Sequence, residues 1–276
     1  MTRRRHSFGR KGPFVYALRA VVVAYLFLLI VWPLYSIASA TFANGLDDLR
    51  AVFDDPYMVE ALRLTAVIAV TAVVINTVFG VGMSLLLVRY EFRGKRLLNA
   101  LVDLPLSVSP VVVGLALLLV YGNRKGWLGP ALERLDLQII YATPGMILAT
   151  TFVALPLVIR EVVPVLEELG NDQEIAAASL GASGPQILRR ITLPAIKWAV
   201  LYGVVLSLAR SLGEFGAVKV VSGNVLGETR TASLAVEEKY LNWEEGGAYA
   251  VAFLLALVSI ACITVVTFIR PRKDQS

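Results

Sequence analysis

Two strongly apolar stretches of the chain are separated by the segment Glu174-Ile-Ala-Ala-Ala-Ser-Leu-Gly181-Ala-Ser-Gly-Pro-Gln-Ile-Leu-Arg-Arg-Ile191-Thr-Leu193-Pro194. The segment contains two adjacent alanines, then three residues, a glycine, nine residues and an Ile-x-Leu-Pro ending. Its small residues leave a flat surface that another protein can approach closely. The spacing therefore predicts a docking site for a soluble partner at the edge of a membrane.

The composition indicates a membrane protein. Hydrophobic residues make up 57% of the 276 residues and charged residues 17%, and the mean hydropathy is +0.70. Soluble domains are closer to half apolar and a quarter charged. A membrane-spanning helix needs roughly 20 apolar residues. Uncharged runs of about this length or longer occupy 20–45, 64–88, 104–123, 138–159 and 246–269.

A further apolar stretch, 198–222, differs from these runs because it contains Arg210, Glu214 and Lys219. We therefore predict an all-α integral membrane protein with six transmembrane helices. A closed β-barrel is disfavoured because the apolar runs are continuous rather than alternating. The basic start of the chain and Ala38-Ser-Ala40 imitate a signal peptide, but the first run is too long for one, so we expect a retained helix.

Basic residues are concentrated in alternate segments between the apolar stretches. They occupy the N-terminus, the loops after the second and fourth helices, and the tail: Arg3, Arg4, Arg5, Arg10, Lys11 and Arg19; Arg89, Arg93, Lys95 and Arg96; Arg160, Arg189, Arg190 and Lys197; Arg270, Arg272 and Lys273. By the positive-inside rule this side is cytoplasmic, with both termini inside. The net charge of +5 thus reflects topology in membrane lipid and predicts no nucleic-acid partner.

The chain lacks the residue sets of the common catalytic and metal sites. Gly94-Lys95-Arg96 has neither the preceding glycine nor the following hydroxyl of a phosphate-binding loop. The single histidine, His6, excludes a Ser/His/Asp set, and the single cysteine, Cys262, forms no internal disulfide. We expect no catalytic residues, no metal and no bound cofactor. Energy for transport would come from an ion gradient or a separate ATPase.

The opening segment predicts a short helix, a sharp turn and a second helix. Asn171 is placed to cap the first helix while Glu174 reaches back to it. Gly181 fits a left-handed stop of that helix. Gly184-Pro185 then starts the second short helix, and Pro194 is expected to bend the chain into the fifth membrane helix.

Two interpretations of this segment stay open from the residues alone. Arg189 and Arg190 fit an amphipathic helix that lies among lipid headgroups. An alanine-rich face anchors poorly in lipid, however. Docking of a protein partner is therefore favoured over lipid anchoring.

The spacing resembles the EAA loop of bacterial ABC-importer permeases, and the resemblance extends over roughly residues 60–269. It implies the type I importer (MetI-like) fold and a coupling helix, at about 172–183, that sits in a cleft of an ATPase subunit. The residues implied in ATPase coupling are Glu174, Ile175, Ala176, Ala177, Gly181, Ile191, Leu193 and Pro194. The glutamate position of the family holds Ile175 here, and the nearest acid, Glu174, stands one residue earlier.

Three other stretches resemble CysW-like permeases of sulfate importers: Leu104-Pro-Leu-Ser-Val-Ser-Pro-Val-Val-Val-Gly114, Ala209-Arg-Ser-Leu-Gly-Glu-Phe-Gly-Ala217 and Val221-Ser-Gly-Asn224. Importers of molybdate and tungstate share the Arg-x-x-Gly-Glu-Phe-Gly part. The resemblance implies a second permease of the CysT type, two CysA-type ATPase subunits that bind ATP and Mg, and a periplasmic sulfate-binding protein. It also implies a multi-pass location in the bacterial inner membrane.

The predicted organisation has three parts. Residues 1–56 hold the cytoplasmic N-terminus, the first helix and the start of a periplasmic loop; 57–269 form an ABC transmembrane type-1 domain; 270–276 are a cytoplasmic tail. The predicted function is import of sulfate or thiosulfate by alternating access, with this chain forming half of the pathway. The alternatives are a molybdate or tungstate importer permease and an ion-gradient-driven anion transporter, which is disfavoured because matching halves are absent.

Charged and hydroxyl side chains in the apolar stretches are candidates for the translocation pathway or for the seam between two permeases. Arg210 and Glu214 are four residues apart and share a helix face. Each charge costs about 2.5–3.5 kcal/mol at membrane depth, so an accidental placement is disfavoured. Ser207 and Ser211 lie on the same face. A structural ion pair that only holds two permeases together is an equally open interpretation.

The third apolar run carries a second group of hydroxyl residues. Ser107 and Ser109 precede Pro110, and Gly114 follows one turn later. This pattern predicts a loosened backbone that presents hydroxyls and amides to an anion. Small residues also serve ordinary helix packing, which is the favoured interpretation here.

Overall fold

A computed structural model describes residues 13–123 and 126–269. Within these ranges the secondary structure consists of helices and turns, without a strand. The predictions for the basic N-terminus, His6 and the basic tail concern residues outside the described part of the chain. The all-α class predicted from the sequence is confirmed.

The helices follow one another with short connections. They are α1 (Pro13–Leu26), α2 (Trp32–Thr41), α3 (Asp47–Asp54), α4 (Pro56–Arg89), α5 (Lys95–Ser107), α6 (Pro110–Tyr121), α7 (Gly129–Arg134), α8 (Thr143–Leu169), α9 (Asp172–Ser179), α10 (Gly184–Ile187), α11 (Leu193–Leu212), α12 (Gly216–Val221), α13 (Ala232–Leu241) and α14 (Glu245–Ile269). π-Helical turns join α1 to α2 at Phe27–Val31 and α10 to α11 at Leu188–Thr192.

Among the described residues, five continuous helical segments are long and apolar enough to cross a membrane, and the bent pair α5–α6 makes six where it counts as one span. The continuous segments are Phe14–Thr41, Pro56–Arg89, Thr143–Leu169, Gly184–Leu212 and Glu245–Val265. Each of them contains or overlaps one of the apolar stretches identified in the sequence. The predicted number of six crossings therefore includes the bent pair.

The third crossing is broken, which corrects the expectation of one helix over 104–123. α5 and α6 meet at an angle of 113°, because Val108 and Ser109 adopt extended backbone angles before Pro110. Residues that precede proline disfavour the helical region. α6 has 12 residues, or about 18 Å of helix, which is well short of the roughly 30 Å of a bilayer core.

The contacts of α4 with α8 show why the broken pair counts as a crossing. The amide Nδ2 of Asn76 donates to the backbone oxygen of Thr151 at 3.1 Å, and Nη1 of Arg89 donates to the backbone oxygen of Leu166 at 3.2 Å. The residue numbers of the paired positions increase in the same direction along both helices, so α4 and α8 are parallel. The chain must therefore return between them, and α5 with α6 forms the return path.

α11 packs antiparallel to α8. Ile196 shares a buried cluster with Val162 and Leu166, whereas Gly203, further along α11, lies against Val158. A Cβ at Gly203 would stand 2.9 Å from the Cα of Val158, so only glycine permits this close approach. The parallel α4–α8 pair and the antiparallel α11 form the centre of the bundle.

The first crossing lies outside this centre. None of its most apolar window is buried, although Phe42, just after α2, stacks edge-on against Phe253 of α14 at 5.3 Å. The first helix therefore touches the bundle at its last turn and exposes its length. An apolar face of this size requires lipid or another membrane subunit to cover it.

Candidate coupling segment and membrane ion pairs

The short helix α9 ends as the sequence predicts. Gly181 has φ +86°, its N–H donates to the carbonyl of Ala178 at 3.0 Å, and the N–H of Ala182 donates to the carbonyl of Ala177 at 3.0 Å. This pair of bonds is the Schellman motif, which satisfies the last carbonyls of a helix. A residue with a side chain would be strained at this φ, so glycine is required at position 181.

The outer face of α9 carries small and apolar side chains without cover. Ala176 and Ala178 are exposed, and Ile175 and Leu180 are 55% and 90% exposed. Apolar side chains at such exposure stabilise the chain only when a partner buries them. The small and apolar side chains predicted to face a partner are exposed, and the docking itself stays a prediction.

The start of α9 differs from the predicted capping box. Asn171 accepts a backbone bond from the N–H of Ile175 at 2.9 Å, but its side chain makes no capping bond. Glu174 instead turns towards the membrane helices, where Oε2 lies 2.9 Å from Nε of Arg89. A charge-assisted contact with a guanidinium is stronger than a bond to a neutral backbone amide. This explains why Glu174 contacts Arg89 rather than the start of its own helix.

Arg89 and Thr192 complete a bridge around Glu174, and neither residue was selected from the sequence as a site. Nη2 of Arg89 donates to Oε1 of Glu174 at 3.3 Å, and Oγ1 of Thr192 donates to the same oxygen at 2.7 Å. We call Arg89, Glu174 and Thr192 the Arg89–Glu174 bridge. The three residues are far apart in the chain, so local spacing gave no signal of their contact.

The second half of the segment runs directly into a membrane helix. α10, the π-helical turn and α11 form one continuous span, Gly184–Leu212, and Pro194 lies in the first turn of α11. Proline lacks an N–H, and the π-helical turn Leu188–Thr192 directly precedes it. The bend at Pro194 stays a prediction. Ile191 is half-buried, while Leu193 and Pro194 are exposed on the same span.

The Arg210–Glu214 pair forms as the sequence predicts. Nη1 of Arg210 lies 2.8 Å from Oε2 of Glu214, with the Arg210 side chain 39% exposed and the Glu214 side chain 2% exposed. Oε1 of Glu214 also accepts the N–H of Ala217 at 3.0 Å, near the start of α12. A carboxylate at a helix start is favourable, so Glu214 shapes the chain reversal after α11.

A small cavity adjoins this pair. Its lining residues are Thr65, Ile68, Thr150, Ser211, Glu214, Val218 and Thr231. The hydroxyls of Thr150, Ser211 and Thr231 are buried without a protein hydrogen-bond partner. The volume open to the centre of a water molecule is about 10 Å³, close to the space that one buried water requires. Ser207 is also buried without a partner, but it does not line the cavity.

The hydroxyls of the third crossing lie at its bend. Ser107 ends α5 and Ser109 precedes α6, and both residues are exposed. The bend abuts the start of α12, because a Cβ at Gly216 would lie 3.1 Å from Cβ of Pro110. The structure therefore brings Ser109 near the turn that follows Glu214, while neither serine lines the cavity.

A further ion pair, absent from the sequence predictions, joins α5 to α8. Nε of Arg160 donates to Oδ1 of Asp103 at 2.7 Å, and Nη2 donates to Oδ2. This two-bond geometry is the strong form of an arginine–carboxylate contact. Asp103 immediately precedes the third apolar run, 104–123.

The described part of the chain contains no cluster of three or more histidine, cysteine, aspartate or glutamate residues that could bind a metal ion. The polar groups that the fold brings together are ion pairs and hydroxyls.

The family model of the binding-protein-dependent transport system inner membrane component matches residues 76–275. The chain belongs to this family. The chain is therefore a membrane component of an ABC importer, which agrees with the resemblance of the segment around Gly181 to the EAA loop.

Curated relatives narrow the group within the family. The sulfate transport system permease protein CysW of Synechococcus elongatus is 47% identical over 259 residues, covering 94% of this chain and 90% of the relative. CysW of Escherichia coli (strain K12) is 44% identical over 249 residues, covering 90% and 85%. A probable CysT permease of Helicosporidium is 34% identical over 251 residues, covering 91% and 93%. The CysW-like resemblance is confirmed.

Solved structures show the same fold. A bacterial ABC transporter that imports the acidic polysaccharide alginate matches with a TM-score of 0.77 at 16% identity, covering 95% of this chain and 96% of the other. The MetNI methionine transporter matches with a TM-score of 0.55 at 18% identity, covering 77% and 96%. The predicted importer permease fold is confirmed.

Proposed function

We propose that this chain is the permease subunit of an ATP-driven importer of sulfate or thiosulfate and forms half of the translocation pathway. The observation that carries the coupling part is the uncovered face of α9, with Ile175 and Leu180 exposed. The names of the CysW relatives support the substrate. Alternating access follows if an ATPase moves α9 and α9 moves the span Gly184–Leu212.

The remaining subunits follow from the same reasoning. A CysT-type permease would cover the exposed first crossing and face the Arg210–Glu214 pair, two CysA-type ATPases would carry ATP and Mg, and a periplasmic binding protein would deliver the anion. The α9 end of the bundle, where Arg89 and Gly170 meet, is the cytoplasmic side in this proposal, in the bacterial inner membrane. Both termini then lie in the cytoplasm, and 57–269 act as the transmembrane type-1 domain.

The coupling role is proposed for the exposed part of the segment. Ile175, Ala176 and Gly181 offer the ATPase a flat face and a fixed turn. Ile191, Leu193 and Pro194 belong to the rigid span that carries the movement into the membrane. Glu174 faces the permease itself, so docking depends on shape and apolar contact more than on its charge.

The pathway role is proposed for groups around the turn after α11. The partly exposed guanidinium of Arg210 is the group proposed to meet the anion, and the buried Glu214 would reduce its net attraction so that the anion can leave. Ser211 and Ser207 lie behind this pair in the bundle, whereas Ser107 and Ser109 present their exposed hydroxyls at the nearby bend. Molybdate and tungstate importers remain the second candidate because they share the Arg-x-x-Gly-Glu-Phe-Gly stretch.

The test is uptake of labelled sulfate by proteoliposomes that contain this chain, the CysT-type permease, the ATPase and the binding protein. We expect uptake that requires internal ATP and that excess thiosulfate reduces more strongly than excess molybdate. An ATPase variant that binds but does not hydrolyse ATP is the matched control. Uptake that persists with this control, or without any ATPase, overturns the proposal; stronger competition by molybdate moves the substrate to the second candidate.

A further inference from the structure

We infer that Arg89 is a positioning residue that fixes α9 to the membrane helices, so that a displacement of α9 moves α4, α8 and α11 together. The inference rests on the proposed coupling function of α9. It assigns a role to a residue outside the EAA-like segment. It also gives Glu174 a role inside the permease rather than on the ATPase.

The guanidinium of Arg89 joins three parts of the fold at once. From the end of α4 it donates to the backbone oxygens of Leu166 at 3.2 Å and Gly170 at 2.7 Å, which are late carbonyls of α8 and its connection. A cation at this place is favourable because the C-terminal carbonyls of a helix are unsatisfied and carry partial negative charge. The same group contacts Glu174 of α9.

Thr192 adds α11 to this set. Its side chain is buried, and its hydroxyl donates to Oε1 of Glu174 at 2.7 Å. The carboxylate of Glu174 therefore receives donors from Arg89 on one crossing and from Thr192 at the start of another. One side chain of α9 is tied to two membrane helices at the same time.

Packing alone does not hold α9 in place. None of its residues is buried, and it is joined to the chain on both sides through glycines with positive φ, Gly170 at +63° and Gly181 at +86°. The side chains of Arg89 and Glu174, by contrast, are only 15% and 20% exposed. Ion pairs this shielded from water are stronger than those on the surface. The Arg89–Glu174 bridge is thus the main fixed connection between α9 and the bundle.

The direct test measures the position of α9 in the assembled transporter. A Cys262→Ser background removes the native cysteine, and spin labels at Gln173 and Arg93 report the distance between α9 and the loop after α4. We expect Arg89→Ala to broaden the distance distribution and Arg96→Ala, which changes an exposed arginine at the start of α5, to leave it unchanged. An unchanged distribution in Arg89→Ala overturns the inference, and this measurement needs no sulfate transport.

The functional test compares ATP hydrolysis with transport in the same proteoliposomes. We expect Arg89→Ala to raise the number of ATP molecules used for each sulfate by about tenfold or more, because hydrolysis continues while movement of the membrane helices is lost. Glu174→Gln should have the same sign and a smaller effect, since Gln still accepts from Thr192. A ratio equal to the unmodified transporter in both variants contradicts the role.

Charge reversal keeps the test decisive where Arg89→Ala weakens assembly. Arg89→Glu combined with Glu174→Arg should recover part of the coupling that each single reversal loses, although the carbonyls of Leu166 and Gly170 then lose their donor. Equal loss in the double and single variants would show that the contact between the two side chains has no positioning role. Absence of sulfate uptake in the unmodified assembly would instead count against the proposed function, while the spin-label distances still decide this inference.

Discussion

The two arginine–glutamate pairs at opposite levels of the bundle are built in different ways. Arg210 and Glu214 are four residues apart, and Glu214 also caps the start of α12. Arg89 and Glu174 are 85 residues apart and connect α9 to separate membrane helices. A local pair fixes the shape of one stretch of chain, whereas a long-range pair fixes the relative position of several.

This difference predicts different consequences for their removal. Glu214 is almost fully buried, so its charge depends on Arg210 for compensation. The Arg89–Glu174 bridge lies at one end of the bundle and connects it to α9, none of whose residues is buried. We therefore expect loss of the first pair to reduce the free energy of unfolding, and loss of the second to reduce coupling while the fold remains.

The largest expected effect is that of Arg210→Ala. It leaves the buried carboxylate of Glu214 without its partner, which typically costs about 3–5 kcal/mol of stability. Thermal unfolding of the purified assembly in detergent measures the loss. Arg210→Met with Glu214→Gln is the control, because it removes both charges and keeps an acceptor for the N–H of Ala217; it should regain most of the stability. If Arg210→Ala keeps the melting temperature and loses only transport, the Arg210 side chain serves the anion rather than the fold.

A smaller effect is expected where α11 packs against α8, between the two ion pairs. Gly203→Ala places a Cβ 2.9 Å from the backbone of Val158, and overpacking of this kind typically costs about 1–3 kcal/mol. Gly82→Ala in α4, where nothing lies within 4 Å, is the matched control and should be neutral or slightly stabilising. Equal melting temperatures for the two variants would show that the packing of α11 against α8 tolerates the added methyl group.

The third prediction concerns Gly181, in the turn after α9. Gly181→Ala forces a left-handed backbone angle on a residue with a side chain, at a cost of roughly 1 kcal/mol. We expect the strain to loosen the end of α9 and lower sulfate transport a few-fold with little change in the melting temperature of the membrane bundle. Gly184→Ala, with negative φ and open space, is the control. A similar loss in both variants would indicate a general sensitivity of this loop.

The smallest expected effect tests the cavity beside Glu214. Ser211→Ala removes one of its hydroxyls, and Ser207→Ala removes a buried hydroxyl elsewhere on α11. We expect both to change the free energy of unfolding by less than about 1 kcal/mol. Only Ser211→Ala should alter hydroxyl-radical labelling at Ile68 or Val218, because labelling inside a membrane protein requires a nearby water. Identical labelling in the two variants would mean that the cavity is dry.

The sequence predicted those features that depend on neighbours in the chain. The stop at Gly181 and the contact of Arg210 with Glu214 follow from spacing within one or two turns, and both are present. The partner of Glu174 was missed because Arg89 reaches it only after α4 and α8 align in parallel. No local pattern encodes that alignment.

The errors have equally physical causes. The third run was expected to form one helix with a backbone loosened near Ser107, Ser109 and Pro110. The structure breaks it completely at Val108 and Ser109, because residues before proline disfavour the helical region. The bend expected at Pro194 stays a prediction, because the span Gly184–Leu212 runs through this residue without a break. The roles of Ser107, Ser109, Ser207 and Ser211 in anion passage stay predictions, because their burial and position do not by themselves identify a contact with the substrate.

The separation between Arg89 and Glu174 also imposes an order on biogenesis. At a synthesis rate of about 5–20 residues per second, Arg89 is complete roughly 4–17 s before Glu174 exists. During that interval it is an unpaired positive charge at the end of a newly inserted helix, and such charges are retained on the cytoplasmic side of the membrane. The same side chain would first help to orient a nascent helix and only later become a joint between finished ones.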